Sequence, residues 1–444
     1  IRSESSAVIR NPSYYFREGL TWTKITSIFA LRYFPANMIL SDSSVYVFPK
    51  KWKYILGCLN TKVAPLIVGL LNPTLNFVAT TVGAIPIIED YDVEVERLTE
   101  QCIEISKTDW DSFETSWDFQ SHPLLRKVPA IAEAFDQWQT ECDDRFNQLK
   151  SNEEELNSIF IDIYGLQDEL TPEVEDKDVT VRKADLGRDI RSFISYAVGC
   201  MFGRYSLDVE GLAYAGGEWD SSKYQSYIPD ADNVIPITDE EYLDDDIVSR
   251  LCAWLKAVYG ADTLEANLDY IAKALGNKGS TSREIIRNYF LNDFFKDHCQ
   301  TYSVTGSGKR PIYWLFDSGK QNGFKALVYL HRYTPDTIGN LRIEYLHKMQ
   351  RVYESEINRM QDMMDHSENA REVAAASKRK DKLAKQLKEC REYDEKISHL
   401  ALSRIELDLD DGVKVNYRKL QTAQDGKFYE VLADSKNIMV KEKK

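Results

Sequence analysis

The stretches LRIEYLHKMQRVYESEINRMQDMM at residues 341–364 and LAKQLKECREYDEKISHL at residues 383–400 decide the architecture of the C-terminal half. Apolar residues recur in both at steps of three and four, which is the spacing of one helix face. A polar segment at residues 365–371 separates the stretches, and residues 338–400 are almost free of glycine and proline. This pattern predicts two long helices in an antiparallel hairpin, with core packing as the main role of the apolar stripe.

The rest of the chain mixes helix and strand signals. Periodicity predicts helices at residues 52–71, 92–160 with an interrupting loop at 109–118, 185–205, 247–274 and 283–298. A strand is expected at Val45–Phe48, a buried strand at Ile312–Phe316, and a hairpin or strand-turn element at Asp408–Tyr417. We therefore expect a multidomain α+β protein with five regions: a module of short strands and helices at 1–90, a mainly helical connecting region at 91–228, an acidic linker with an α+β domain at 229–336, the long helical hairpin at 337–402, and a strand-turn element at 403–444.

Composition limits where the protein works. The longest apolar run, Val63–Leu71, is far shorter than the roughly 20 residues of a membrane span. The first ten residues contain no signal-peptide core, and the seven cysteines are scattered without metal-ligand spacing. We expect a cytoplasmic protein without membrane contact or structural zinc. The first residue is isoleucine rather than methionine, which indicates a start inside a longer protein.

Charge is distributed unevenly. The net charge is −15, yet residues 1–88 hold nine basic and three acidic residues, a net of +6. One surface that faces a polyanion would explain this asymmetry, and chance clustering on a solvated face is the alternative. Residues 225–249 contain no lysine or arginine and eight acidic residues. A solvated linker is expected there, with a partner-docking strip as the alternative.

Three short motifs resemble catalytic sites and fail on context. Asn11–Tyr14 (NPSY) resembles the catalytic tetrapeptide of adenine methyltransferases, but no glycine-rich cofactor loop precedes it. We interpret it as a turn that leads into a strand. Residues 306–309 (GSGK) lack the first glycine and the hydroxyl residue of a phosphate-binding loop. The carboxylates of residues 109–118 have aromatic neighbours and no histidine, so packing is favoured over metal binding. The sequence therefore shows no catalytic, cofactor or metal site.

Longer blocks resemble a known family. The segments Tyr14–Trp22 (YYFREGLTW), Arg32–Pro35 (RYFP), Leu70–Phe77 (LLNPTLNF) and Ile85–Ile87 are similar to the start of the target-recognition region of adenine-specific DNA methyltransferases. The PglX family of BREX phage-defence systems is the most specific match. Four later blocks fit it: EISKTDWDSFETSWD at 104–118, DIRSFISY at 189–196 with GRYSL at 203–207, PIYWLFDSG at 311–319 with GFKAL at 323–327, and DLDDGVKVNY at 408–417.

The resemblance implies the C-terminal part of such an enzyme, comprising the target-recognition region and the C-terminal domain. In that family, S-adenosylmethionine and the catalytic motif belong to an N-terminal methyltransferase half, so this chain is expected to be inactive alone. The implied partners are double-stranded DNA, the N-terminal half, and other BREX proteins. The implied function is sequence-specific recognition of duplex DNA for adenine methylation.

The basic excess lies where the resemblance places DNA recognition. Arginine can read guanine in a bidentate manner, while lysine acts mainly as a point charge on phosphate. The candidates for these contacts are Arg17, Lys24, Arg32, Lys50, Lys51 and Lys53. Asn72 and Asn76 could present amides to adenine, and Trp22 and Phe77 could stack on a base or belong to the core. A second, weaker basic set comprises Lys278, Arg283, Arg310, Lys320, Lys325 and Arg332.

Two other functions stay open from the residues. In the first, the acidic strip and the helical hairpin form a docking scaffold within a defence complex, and DNA contact is incidental. The second is a nuclease fused to a specificity domain, which the absence of a visible carboxylate and lysine cluster disfavours.

Overall fold

A computed structural model describes residues 11–40, 44–72, 74–90, 93–304 and 308–439. The chain divides into two compact units. The first unit comprises Ile1–Trp110 and Gln139–Ala184, and the second comprises Asp111–Trp138 and Asp185–Lys444. Arg2 and Arg10 of the basic N-terminal count, and residues 306–307 of the GSGK motif, lie outside the described residues.

The first unit packs a small antiparallel sheet against helices. Its strands are β1 (Gly19–Thr23), β2 (Arg32–Phe34) and β3 (Ser44–Val47), in the order β2-β1-β3. Leu20 and Trp22 alternate with threonines along β1, so one face of the sheet enters the core. The helices are α1 (Trp52–Leu59), α2 (Val63–Leu71), α3 (Ala79–Val82), α4 (Val93–Asp111) and the later part of α5 (Ile131–Tyr164).

The predicted helix at residues 52–71 is two helices. The chain turns after Leu59, where the Thr61 hydroxyl donates to the carbonyl of Cys58 at 2.7 Å, and α1 and α2 meet at 77°. Among the described residues, no single helix is long and apolar enough to cross a membrane, and α1 and α2 reach that length and hydropathy only as a bent pair.

The second unit is mainly helical around a three-stranded sheet. Its strands are β4 (Ile235–Pro236), β5 (Ser303–Val304), β6 (Gly308–Lys309), β7 (Tyr313–Asp317) and β8 (Lys325–Tyr329). The sheet order is β4-β8-β7, and β5 pairs with β6. The first helices are α6 (Leu186–Met201), α7 (Ile247–Tyr259), α8 (Leu264–Leu275), α9 (Ser282–Asn292) and α10 (Phe294–Thr301). The buried strand predicted at Ile312–Phe316 is confirmed as β7.

The predicted helical hairpin is also confirmed. Its first arm runs from α11 (Thr337–Asn340) through a π-helical turn at Leu341–Leu346 into α12 (His347–His366), and its second arm is α13 (Ala370–Ser403). Contacts between the arms show that they are antiparallel: Arg342 donates to Asp394 at 2.7 Å, and Arg391 pairs with Glu354 at 2.7 Å. The α+β fold class predicted from the sequence is therefore correct.

The strand-turn prediction for Asp408–Tyr417 is wrong. The segment forms a 3-10 turn followed by α14 (Val413–Lys419), and α15 (Ser435–Ile438) comes later. The carboxylate of Asp408 accepts from the amide of Asp410 at 2.9 Å, and Gly412 takes a positive φ of 78° just before the helix. The Asp-Asp-Gly sequence therefore starts a helix instead of joining two strands.

The solvated-linker interpretation of the acidic segment is wrong for its key residues. Asp230 and Asp246 are buried, at 3% and 0% exposure. Asp230 pairs with Arg250, and Asp246 pairs with Arg287, whose guanidinium also donates to the carbonyl of Thr238 at 2.9 Å. Two of the acidic residues are therefore counter-ions inside the second unit.

Candidate nucleic-acid interface

The outward face of the sheet in the first unit brings polar groups of all three strands together. Thr21 lies opposite Arg32 on β2 and Tyr46 on β3, and Thr23 lies opposite Ser44. Directly paired residues share a face of an antiparallel sheet. Because Leu20 and Trp22 point into the core, this row points away from it.

A shallow hollow marks this outward face. It has a volume of about 180 Å³, and its lining includes Thr21, Thr23, Thr26, Arg32 and Ser44. Arg32 is exposed, and one of its Nη1 hydrogens is donated to the carbonyl of Leu31 at 2.9 Å. Hydroxyl and guanidinium groups are among the side-chain donors that contact phosphate oxygens and base edges.

A second exposed arginine lies at the Gly19 end of β1. The Cζ atom of Arg17 is 5.4 Å from the ring of Tyr14 and 5.3 Å from that of Phe48. Phe48 packs edge-on against Phe34 on β2, with ring centroids 5.9 Å apart. A Cβ atom on Gly19 would lie 2.8 Å from the carbonyl oxygen of Val47, so only glycine lets the strand approach this closely. The aromatic packing holds Arg17 beside the sheet.

The lysines of this region differ in availability. Lys50 and Lys51 are exposed in the connection between β3 and α1, whereas Lys24 is half-buried at the end of β1. Lys53 forms an ion pair with Glu100 on α4, and this hydrogen bond raises the pKa of the lysine. Lys53 is therefore already neutralised within the first unit.

Trp22 and Phe77 are core residues. They are 5% and 6% exposed, and the indole of Trp22 donates to the carbonyl of Phe77 at 2.8 Å. Asn72 accepts from the amide of Thr74 at 3.1 Å and donates to the carbonyl of Asn76 at 2.8 Å. Of these four candidates, only Asn76 is exposed, so only Asn76 could present its side chain at a surface without rearrangement.

The second basic set lies in the second unit, and half of it is engaged there. Lys325 is buried and donates to the carbonyl of Leu291 at 2.9 Å, and Arg283 forms a bidentate pair with Glu265. Arg332 donates to three backbone carbonyls and lies 4.4 Å from the ring of Trp219. Lys278, Arg310 and Lys320 are exposed.

Sequence reasoning missed the hydroxyl groups of the sheet face. The signal was present in GLTWT at residues 19–23, where apolar and polar residues alternate as in a strand with one buried face. Residues 12–14 form a 3-10 turn ahead of β1, which confirms the interpretation of NPSY as a turn. Within the described ranges, no group of three or more His, Cys, Asp or Glu side chains could hold a metal ion.

Comparison with known proteins identifies the relatives of the chain. It is 46% identical over 424 residues to the adenine-specific methyltransferase PglX of Lacticaseibacillus casei (strain Zhang), an alignment that covers 93% of this chain and 35% of that protein. It is 35% identical over 469 aligned positions to the adenine-specific methyltransferase BrxX of Escherichia coli O9:H4 (strain HS), covering 98% of this chain and 38% of that protein. The chain thus spans little more than a third of either relative. No protein-family model matches it. The chain belongs to the PglX-like adenine-specific methyltransferases, as the C-terminal part of such a protein.

Proposed function

We propose that the first unit binds duplex DNA and sets the target sequence of a PglX-like adenine-specific methyltransferase. The observation that carries the proposal is the outward sheet face, where Arg17 and Arg32 are exposed beside a row of hydroxyl groups. Transfer of the methyl group from S-adenosylmethionine would be performed by the part of the protein that lies outside this chain.

The charge around this face favours a polyanion. Among the described residues from 11 to 88, Glu18 is the only acidic one, and its carboxylate accepts the hydroxyl of Tyr33 at 2.9 Å. The exposed Lys50 and Lys51 extend the positive charge beyond β3. Phosphate contacts supply most of the affinity of a DNA-binding protein, and an arginine that reaches a base edge adds sequence preference.

Salt dependence tests the proposal. Binding of the chain to a short fluorescent duplex of mixed sequence should weaken steeply as salt rises, because each phosphate contact releases a condensed counterion. Arg17→Gln and Arg32→Gln should each lower the slope of log K against log salt by about 0.9. Arg97→Gln is the matched control, since Arg97 is an exposed arginine of the same unit that pairs with Glu94 on α4. No duplex binding by the unaltered chain at low salt would refute the proposal.

Catalysis is tested separately. The chain alone should transfer no methyl group from S-adenosylmethionine to the same duplex. Activity would contradict our assignment of the chemistry to the remainder of the protein, while leaving the DNA-binding result unaffected.

A docking role is the second candidate, and one observation favours it. Ile25, Leu70 and Leu75 are 73%, 81% and 60% exposed, and Ile25 and Leu75 are brought together where residue 25 pairs with Asn76. Exposed apolar clusters commonly mark protein interfaces. The occupant would be the N-terminal methyltransferase half. Leu70→Ser with Leu75→Ser should then lower co-purification with that half, and Arg32→Gln should not.

A further inference from the structure

A cavity of about 520 Å³ in the second unit is lined by none of the first-unit residues proposed above to bind DNA. Three segments line it: the loop at residues 114–119, the turn after α6 at 204–205, and the end of α10 with β5 at 301–304. Leu212 and Arg310 complete the wall. None of these segments has a role in the proposed function. A volume of this size accommodates a small organic ligand.

The inner wall contains a buried polar atom without a partner. The Glu114 side chain accepts from the Ser195 hydroxyl at 2.6 Å through Oε1, and its buried carboxyl also lies beside the hydroxyls of Tyr302 and Tyr205. The Nε of Arg204 is buried and unsatisfied. Glu114 and Arg204 are 8% and 9% exposed. Buried polar groups are nearly always hydrogen-bonded, so the unsatisfied guanidinium nitrogen of Arg204 at this cavity indicates a missing partner.

Burial also raises the pKa of the Glu114 carboxyl. A carboxyl group that keeps its proton can donate from Oε2 while Oε1 accepts from Ser195. This donor matches an acceptor nitrogen on the edge of a heterocyclic base. The adjacent guanidinium of Arg204 supplies further donors, although one of its Nη groups is occupied by the hydroxyl of Tyr329 at 3.3 Å.

The mouth of the cavity combines aromatic surface with positive charge. Trp117 is fully exposed, at 101%, although a large aromatic ring normally gains from burial. Phe119 and Tyr205 form a buried aromatic wall, with ring centroids 5.5 Å apart. Arg310 is exposed at the rim. A flat ring could stack on Trp117, and an anionic group could reach Arg310.

We propose that this cavity binds a purine nucleotide, with the base stacked on Trp117 and directed toward Glu114 and Arg204, and the phosphate at Arg310. The nucleotide could be free or part of an unpaired DNA strand, because both present the same base and phosphate. The proposal is independent of the DNA-binding role of the first unit, since every residue it uses belongs to the second.

Calorimetric titration of the chain with AMP, GMP, adenosine and inorganic phosphate tests the proposal. At least one of the two mononucleotides, AMP or GMP, should bind. If AMP binds, adenosine should bind about tenfold more weakly than AMP. Inorganic phosphate alone should not bind measurably. Arg310→Gln should lower the affinity for the mononucleotide about tenfold and leave adenosine unchanged. Trp117→Ala should weaken the nucleotide by a similar factor, because stacking on the base is lost.

The control is Trp110→Ala, which removes an exposed tryptophan (54%) of the first unit and should leave nucleotide affinity unchanged. Both tested side chains are exposed, so their removal should leave the far-ultraviolet circular dichroism spectrum intact. If neither AMP nor GMP binds at millimolar concentration, the proposal is overturned. Equal affinities for the unaltered chain and Trp117→Ala would also overturn it.

A single-stranded oligonucleotide distinguishes the two sources. If it binds at least tenfold more tightly than the mononucleotide, and Arg310→Gln removes that advantage, the ligand is a nucleotide within a strand. If it competes no better than the mononucleotide, the ligand is free. Failure of duplex binding at the sheet face would leave either result untouched.

Discussion

The buried pair between Asp246 and Arg287 provides the sharpest test of the second unit. Arg287→Met removes the guanidinium and leaves the carboxylate of Asp246, which has no solvent exposure, without its counter-ion. Loss of one partner of a buried ion pair costs about 3 to 5 kcal/mol. The Asp246 carboxylate still caps α7 by accepting the amide of Ser249 at 2.9 Å, so we expect the lower end, about 3 kcal/mol.

The measurement is urea unfolding, with hydrogen exchange of the α7 amides as a local readout. Asp246→Asn keeps the capping oxygen and should cost a similar amount, because Arg287 then loses its counter-charge. The double variant should lose about 2 kcal/mol less unfolding free energy than the sum of the two single variants, and this difference measures the coupling between Asp246 and Arg287. Asp244→Asn is the matched control; Asp244 is exposed two residues away, and its change should stay within about 0.5 kcal/mol. If Arg287→Met costs less than 1 kcal/mol, or if the two single changes add, the pair is not the buried contact described above.

Three further outcomes follow from individual residues. Burial raises the pKa of Glu153 to about 7 from 4.5, so its contribution to stability is full below pH 4.5 and is lost as pH rises through about 7. Glu153→Gln should flatten this part of the curve of stability against pH, by about 2 kcal/mol after allowance for partial exposure. Gly19→Ala would force a contact with the carbonyl of Val47, and should lower the free energy of unfolding by about 1 to 3 kcal/mol in a denaturant titration and weaken duplex binding. His298 is held neutral by burial, with a pKa of about 3, and its Nε2 accepts hydrogen bonds from two backbone amides at the start of β7, each at 3.0 Å. His298→Ala should destabilise the second unit by about 3 kcal/mol, measured by thermal unfolding. An effect below about 1 kcal/mol would show that water replaces the ring.

Long-range periodicity was the most informative part of the sequence. The stripe of the hairpin repeats over many turns, so its helices could be placed without any knowledge of tertiary contacts. The Asp408–Tyr417 segment shows the limit of short patterns. A turn sequence such as Asp-Asp-Gly fits a hairpin and a helix start equally well, and the packing of Tyr417, which is fully buried, decides between them.

Charge counts could not reveal burial. The acidic run looked solvated because no basic residue lies within it, yet Arg287 reaches Asp246 from 41 positions away in the chain. Lys325 was counted as a DNA candidate for the same reason, and it is bonded inside the second unit. Conversely, Arg17 and Arg32 were identified by charge and are both exposed, Arg17 just before β1 and Arg32 on the paired strand β2.

The division of the chain into two units affects how the protein can be made. Residues 111–138 belong to the second unit but interrupt the first, which is completed only by residues 139–184. During synthesis the ribosome therefore releases part of the second unit before the first can close. Any single cut in the polypeptide divides at least one of the two units between the two fragments. Expression of either unit alone would need a deletion or a circular permutation in place of a simple truncation.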